Sequence, residues 1–214
     1  MCRDEETGMH VKRTGLLSEA LALAAGWSET DAEILRLEAP MHDVGKIGIP
    51  DAILQKPGKL TNEEFEIMKT HSRIGAGMLE GSQSEILTMA RDIALCHHER
   101  WDGTGYPLGL AGMAIPEAAR IVSIVDVFDA VSHDRVYRPA LPAEEVSKIM
   151  TQGAGKHFDP VLVSVFLAHY ETMRNIIHEN PDEKTTDEST AASLPPTSAP
   201  LSVGATCEPV AAMV

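Results

Sequence analysis

The stretch Ala39-Pro40-Met41-His42-Asp43-Val44-Gly45-Lys46 decides how the chain is read. A histidine and an aspartate stand side by side, with a lysine one turn further on and a proline just upstream. On an α-helix, neighbouring side chains point about 100° apart, so His42 and Asp43 cannot share one buried apolar face. They can flank a single cation from two sides. A lone His-Asp pair is usually no more than a helix end with a capping acid, so its weight depends on what else gathers around it.

Upstream, His10, Thr14, Leu17, Leu21 and Ala24 recur at helical spacing within a helix from about Arg3 to Ala25, which Gly26 stops. Glu6 lies one turn before His10, on the same face. Ser28 caps a second helix, Glu29 to Glu38. Pro40 then removes a backbone donor and disfavours helix at Ala39, which places a break just ahead of His42.

Downstream, Gly45, Gly48, Pro50, Pro57 and Gly58 read as a loop between Lys46 and Leu60. Thr61 with Glu63 and Glu64 opens a helix that carries Phe65, Met68, His71, Ile74 and Met78. Gly75-x-Gly77 within it is not a dinucleotide fingerprint, because no strand precedes it and the spacing is wrong. Ile86 to Cys96 is apolar at helical spacing and runs into His97-His98, and the segment from Glu99 to Gly109 is a glycine-rich loop. Pro116 begins a helix reaching about Ser132. Its body from Ile121 to Phe128 is apolar almost all round, which marks it as the central buried helix, with Asp126 stranded inside. Helices over Ala143 to Gln152 and Pro160 to about Glu179 complete an all-α domain.

That domain is expected over residues 1–179, followed by a disordered acidic, Ser-Pro-Ala-rich tail over 180–214. The net charge of −14 argues against binding a nucleic-acid polymer or an anionic membrane, since either needs a cationic face. No apolar run is long enough to insert in a membrane, and the N-terminus does not read as a signal peptide. Cys2, Cys96 and Cys207 lie far apart with no Cys-x-x-Cys spacing, so neither disulfides nor a thiolate zinc site is expected, and the cytoplasm is the expected location.

Polar groups stand where the apolar pattern calls for burial: Glu6, His10, His42, Asp43, His71, His97, His98 and Asp126. Buried charge is costly unless paired or bound to metal, and few cations are near enough in sequence to pair with these groups. Together they point to a metal cluster. A mixed imidazole and carboxylate set without thiolate suits iron or manganese, and zinc also accepts it. Asp129, one turn after Asp126, is a candidate to orient a ligand. His133, His157, His169 and His178 read as surface residues, and Cys96 as a small buried thiol.

The ordered series Glu6-x-x-x-His10, His42-Asp43-x-Gly-Lys46, His71, His97-His98-Glu-Arg-Trp-Asp-Gly-Thr-Gly105-Tyr106-Pro107 and Asp126-Val-Phe-Asp-Ala resembles the HD-GYP family. These are bacterial cyclic di-GMP phosphodiesterases within the HD hydrolase superfamily, and the resemblance runs from about Arg3 to Tyr170. It implies a helical bundle of about seven to eight helices around a buried centre of two or three iron or manganese ions. By motif, the ligands are Glu6, His10, His42, Asp43, His71, His97, His98 and Asp126, with Asp43 as the bridge and Glu6 associated with a third metal. Two-metal logic has a nucleophile held between the ions attack phosphorus in line. Lys46 is placed to meet a phosphate oxygen or to protonate the leaving 3′-oxygen. The resemblance puts Arg135 and Arg138 near the phosphates, and Tyr106 can stack on a guanine or donate a hydrogen bond.

The function so implied is hydrolysis of cyclic di-GMP to pGpG, with the further step to GMP left open. The alternatives are the same chemistry on another cyclic dinucleotide, or a non-catalytic effector that binds partner proteins. Val136 stands where proline is common, which loosens that turn without removing a ligand. Relatives often carry a receiver or sensor domain ahead of the first ligand, which here is residue 6. The expectation is therefore a free-standing effector or a chain separated from its regulatory half. A receiver, sensor or diguanylate cyclase is then the expected protein partner, and the oligomeric state is open.

Overall fold

Three helices of this protein start where a side chain, Ser28, Thr61 or Asp159, accepts from the unpaired backbone amides. The computed structural model describes residues 8–80, 85–132 and 141–182. Helix α1 spans Gly8–Ala24, and α2 spans Glu29–Glu38 with the Ser28 hydroxyl accepting from the Asp31 amide at 3.1 Å. A 3-10 segment, Ala39–Gly48, follows directly, with Pro40 at its start. After the short α3 (Asp51–Leu54), α4 (Asn62–Lys69) opens on a capping box in which Thr61 and Glu64 satisfy each other's amides. Then come α5 (His71–Leu79), α6 (Glu85–Cys96), a 3-10 turn at Gly112–Ala114 and α7 (Glu117–Ser132). Helices α8 (Ala143–Gly153), α9 (Pro160–Ala168) and α10 (Tyr170–Glu179) close the described chain. The fold is all-α, and no helix among the described residues is long and apolar enough to cross a membrane.

Three details depart from the sequence expectation. The helix opened by Thr61 is two helices meeting at Thr70, so His71 begins α5 instead of lying mid-helix. The stretch from Pro160 is likewise divided, at His169. The supposed loop after Lys46 contains α3, which brings the described α-helical segments to ten. At Thr70 and His169 the apolar spacing continues across the break, so periodicity alone does not register it, and α3 is too short to show a period of its own. The tail begins beyond most of what is described, since residues 183–214 lie outside the described set.

Helix α7 is the axis of the core. Ile121, Val122, Ile124, Val125 and Phe128 are essentially without exposure and share one cluster with Leu17 and Leu21 of α1, Leu35 of α2, Ile93 of α6, Met150 of α8, Phe166 of α9 and Met173 of α10. Each such side chain contributes about 1.5–3 kcal/mol on burial. Phe128 meets Phe166 edge to face at 4.9 Å between ring centres. A smaller cluster of Ile49, Ile53 and Met68 anchors the chain between the 3-10 segment and α4.

The 3-10 segment runs ten residues, longer than the three or four usual for this geometry. Its side chains repeat every third residue, so neighbours point about 120° apart, not the α-helical angle. Ala39, His42 and Gly45 fall on one buried edge, while Asp43 and Lys46 eclipse on another. The buried edge lies on α5 at Gly45, where a Cβ would collide with the His71 carbonyl and the Gly75 backbone nitrogen. Gly45→Ala must therefore pry the 3-10 segment off α5. It should lower stability by about 3 kcal/mol, an overpacking cost, readable as a shifted midpoint in urea unfolding.

At the end of α2, Glu38 is fully buried and neither carboxylate oxygen has a hydrogen-bond partner. Burial raises its carboxyl from 4.5 to about 7, against a smaller opposing influence of the Ala90 backbone. Because the folded value is the higher one, the associated stability is complete below pH 4.5 and is lost as pH rises through 7. Glu38→Gln should therefore be near neutral in acid and stabilising above neutrality, by up to about 3 kcal/mol. Urea midpoints at pH 5 and pH 8 test this, and equal shifts at both would refute it.

Candidate metal centre

Five elements deliver one polar side chain or two each to a common point: His10 from α1, His42 and Asp43 from the 3-10 segment, His71 from the first turn of α5, His97 and His98 from the end of α6, and Asp126 from α7. They form two groups, each able to hold a metal ion: Asp43, His71, His97 and His98 in one, and His10, His42 and Asp126 in the other. Within each group the donor atoms lie within 4.8 Å of one another. Asp43 joins the two. Its Oδ1 faces His71 Nε2 at 3.2 Å and His97 Nε2 at 3.6 Å, while Oδ2 faces His42 Nε2 at 3.1 Å.

The rings are held from behind. Nδ1–H of His42 donates to the Ala39 carbonyl at 2.9 Å, that of His71 to Met68 at 2.7 Å, and that of His97 to Ile93 at 3.0 Å. His10 Nδ1–H donates to Asp129 at 2.8 Å. Carbonyls and carboxylates only accept, so each Nδ1 carries a hydrogen and each Nε2 is turned to the centre, where the neutral ring offers a lone pair. Nε2 of His71 and of His97 stand 3.5 Å apart with no proton to share, and buried His42 Nε2 and Asp43 Oδ1 have no hydrogen-bond partner. Facing lone pairs around a carboxylate need a cation between them. The residues fit a metal centre.

Burial opposes charge on His42, yet the Asp43 carboxylate outweighs it and lifts the imidazole to about 9. On Asp43 burial also disfavours charge and is overcome by His42, which with His71 and His97 holds the carboxyl well below its usual range. Burial keeps His97 and His98 neutral, and for His98 the neighbouring His97 and His71 add to the effect. Lys46 Nζ meets Asp43 Oδ2 at 2.6 Å, placing an ammonium at the partly exposed rim.

The Gly-Tyr-Pro loop is fastened to the same centre. Glu99 is buried, and its two oxygens accept from the Leu108 amide at 2.6 Å and the Leu110 amide at 3.0 Å. Arg73 of α5 donates to the Pro107 carbonyl at 3.0 Å. Gly105 lies so close over His98 and Glu99 that a Cβ there would strike their backbone. Tyr106, followed by a cis peptide bond, stacks on His98 at 4.7 Å and meets Phe65 edge-on at 6.3 Å. Lys69 Nζ lies 5.6 Å and 5.7 Å from the Phe65 and Tyr106 ring centres.

Of the residues singled out from sequence, His10, His42, Asp43, His71, His97, His98, Asp126, Lys46 and Tyr106 are brought together here. Glu6, Arg135, Arg138 and His133 lie outside the described residues. Asp126 is not fully enclosed, its side chain being 27% exposed. His157 is half-buried against Phe158 instead of on the surface, and burial, then Arg100, lowers it to about 4. Cys96 is buried, and burial, then Glu99, raises its thiol to about 12, which suits a packing role. Glu99, Arg73, Phe65 and Lys69 were not anticipated. The signal for Glu99 was an acid immediately after two histidines of a buried helix end.

Residues 3–162 match the HD domain family, and the chain belongs to it. It is 49% identical over 179 residues to a cyclic di-GMP phosphodiesterase of Vibrio cholerae serotype O1, covering 78% of this chain and 36% of that protein. It is 42% identical over 180 residues to the 3'3'-cGAMP-specific phosphodiesterase 2 of the same organism, covering 84% and 34%. The chain thus spans well under half the length of these curated relatives. Among solved structures, an HDG"Y"P protein from Bdellovibrio bacteriovorus superposes with a TM-score of 0.59 at 24% identity, over 78% of this chain and 55% of that one, the same fold.

Protons and metal ions compete for the lone pairs at this centre. Because the His42 imidazole is raised to about 9, its proton must leave before the nitrogen can ligate. Mn2+ affinity measured by calorimetry should therefore climb from neutrality to about pH 9 and then level, with proton release that shrinks across the same range. A flat profile would show that His42 takes no part.

Proposed function

We propose that this domain hydrolyses a cyclic dinucleotide, with cyclic di-GMP the leading substrate, by metal-assisted phosphodiester cleavage in the cytoplasm. The observation that carries the reading is the division of the Asp43 oxygens between two sets of imidazole lone pairs. The family membership and the names of the relatives support it. Iron or manganese is the proposed metal, in two sites, with Glu6 the proposed ligand of a third.

Bound at these groups, the cations supply Lewis-acid stabilisation of the phosphoryl oxygens and lower the pKa of the attacking water. The protein's share is placement. His10, His42, His71 and His97 are each pinned at Nδ1, so their Nε2 atoms need no reorganisation when the transition state forms. Asp43 holds the two halves of the centre at a fixed separation. Lys46, at the rim, carries an ammonium that can turn from Asp43 to a non-bridging phosphate oxygen or give its proton to the leaving 3′-oxygen. Tyr106, backed by His98 and flanked by Phe65, offers a ring face or its hydroxyl to a guanine. Arg135 and Arg138 are assigned to the phosphates by resemblance alone.

A second substrate, 3'3'-cGAMP, is worth direct comparison because one of the similar proteins is named for it. Asp43→Asn is the variant that tests the central claim. The amide keeps the shape and one acceptor but loses the charge that lets two cations be bridged. Turnover of cyclic di-GMP by Mn2+-loaded protein should fall about a hundredfold or more, the cost of losing one electrostatic stabiliser. The reading fails if metal-loaded parent protein turns over neither dinucleotide, and that outcome favours a protein-binding effector.

A further inference from the structure

Arg13 lies one turn after His10 on α1 and is 2% exposed, among the largest fully buried side chains. Its guanidinium is divided between α7 and the residues that follow α10. Nε and Nη2 donate to the two oxygens of Asp129, at 2.6 and 3.1 Å. Nη1 donates to the Asn180 carbonyl at 3.1 Å and to the Asp182 carboxylate at 2.9 Å. The Asp129 oxygen that meets Nη2 also accepts Nδ1–H of His10 at 2.8 Å. A continuous run of charge-assisted bonds therefore joins the first residues after α10 to the imidazole whose Nε2 faces Asp126 at 3.9 Å.

Docking of α10 does not call for such a network. Met173 of α10 already lies in one apolar cluster with Leu17 and Leu21 of α1. Burying a guanidinium is expensive, and apolar residues of similar volume serve packing at least as well. What the network does, and packing could not, is fix direction. Two parallel bonds orient the Asp129 carboxylate, and that carboxylate sets both the tautomer and the rotation of His10. Asn180, itself buried, closes the end of α10 with Nδ2 on the Ile176 carbonyl at 2.8 Å, so the far end of the relay is also held.

We propose that Arg13 is a positioning residue through which Asn180 and Asp182 hold His10 in its ligating orientation, so that the chain leaving α10 belongs to the support of the metal centre. This deepens the function proposed above and rests on His10 being a ligand. The domain boundary then falls after Asp182, beyond the 179/180 junction suggested by composition.

The test uses the full chain with Mn2+ as probe, in parent, His10→Ala, Arg13→Lys, Asp182→Lys and Asp182→Glu proteins. Three quantities are read: Mn2+ affinity, the 15N chemical shifts of the His10 ring, and the thermal midpoint in chelator. His10→Ala should weaken Mn2+ binding. Arg13→Lys, which keeps the charge but loses the fork, should weaken it about tenfold and blur the His10 tautomer signal. Asp182→Lys should act in the same direction by about threefold, with Asp182→Glu close to parent. Asp182 is a third exposed, with a side-chain exposure of 33%, so its variants remain informative even where Arg13→Lys does not fold. If Arg13→Lys and Asp182→Lys move only the thermal midpoint, the network is structural and the proposal is overturned. If His10→Ala leaves Mn2+ affinity unchanged, the ligand reading of His10 fails first, and the proposal falls with it.

Discussion

The Asp43 carboxylate is 8% exposed and faces His42, His71, His97 and Lys46, and a charge so far from water persists only where fixed partners surround it. Those partners come from three elements distant in sequence, and each must be immobile. The backbone carbonyls behind His42, His71 and His97 provide that, because they belong to helical turns held by apolar clusters, Ala39 and Ile93 in the core around α7 and Met68 in the smaller one with Ile49 and Ile53. The apolar cluster therefore contributes more than stability. It makes the imidazoles rigid enough for their lone pairs to face one another without collapsing into hydrogen bonds.

The 3-10 geometry of Ala39–Gly48 belongs to the same constraint. A repeat of three puts Asp43 and Lys46 on one ridge and His42 and Gly45 on another, so one segment carries a candidate ligand pair, a cation and a flat contact face. An α-helix would have rotated these ridges apart within a turn. The contact at Gly45 lets α5 come near enough for His71 to reach Asp43. Across the centre, buried Glu99 performs a comparable task for the Gly-Tyr-Pro loop through the Leu108 and Leu110 amides.

Much of this was legible in the sequence. Ser28 and Thr61 announced helix starts through their capping chemistry, and α7 announced itself by being apolar all round. His10, His42, Asp43, His71, His97, His98 and Asp126 were visible as polar residues in apolar frames, and the second contact of His10 was visible as Asp129, one turn from Asp126. What was hidden depends on tertiary approach. The break at Thr70 lies inside an unbroken apolar rhythm, so only the placement of His71 against the 3-10 segment reveals it. The partners of Arg13 stand 116 and 169 positions away, and nothing in the local pattern distinguishes it from a surface arginine. The role of Glu99 likewise exists only once the loop has folded back over it.

The outward direction of the Nδ1 hydrogens has a consequence for the order of events at this centre. His10, His42, His71 and His97 each spend their one hydrogen on a group behind them. The face they turn inward gathers imidazole nitrogens around the Asp43 carboxylate, with the Lys46 ammonium at its rim. Cations bound there would offset the Asp43 charge and make the face attractive to an anion. On the proposed function, metal loading would then favour substrate entry, with cation binding preparing the site for the nucleotide. On that reading, limiting the metal would act at substrate capture as well as at bond cleavage.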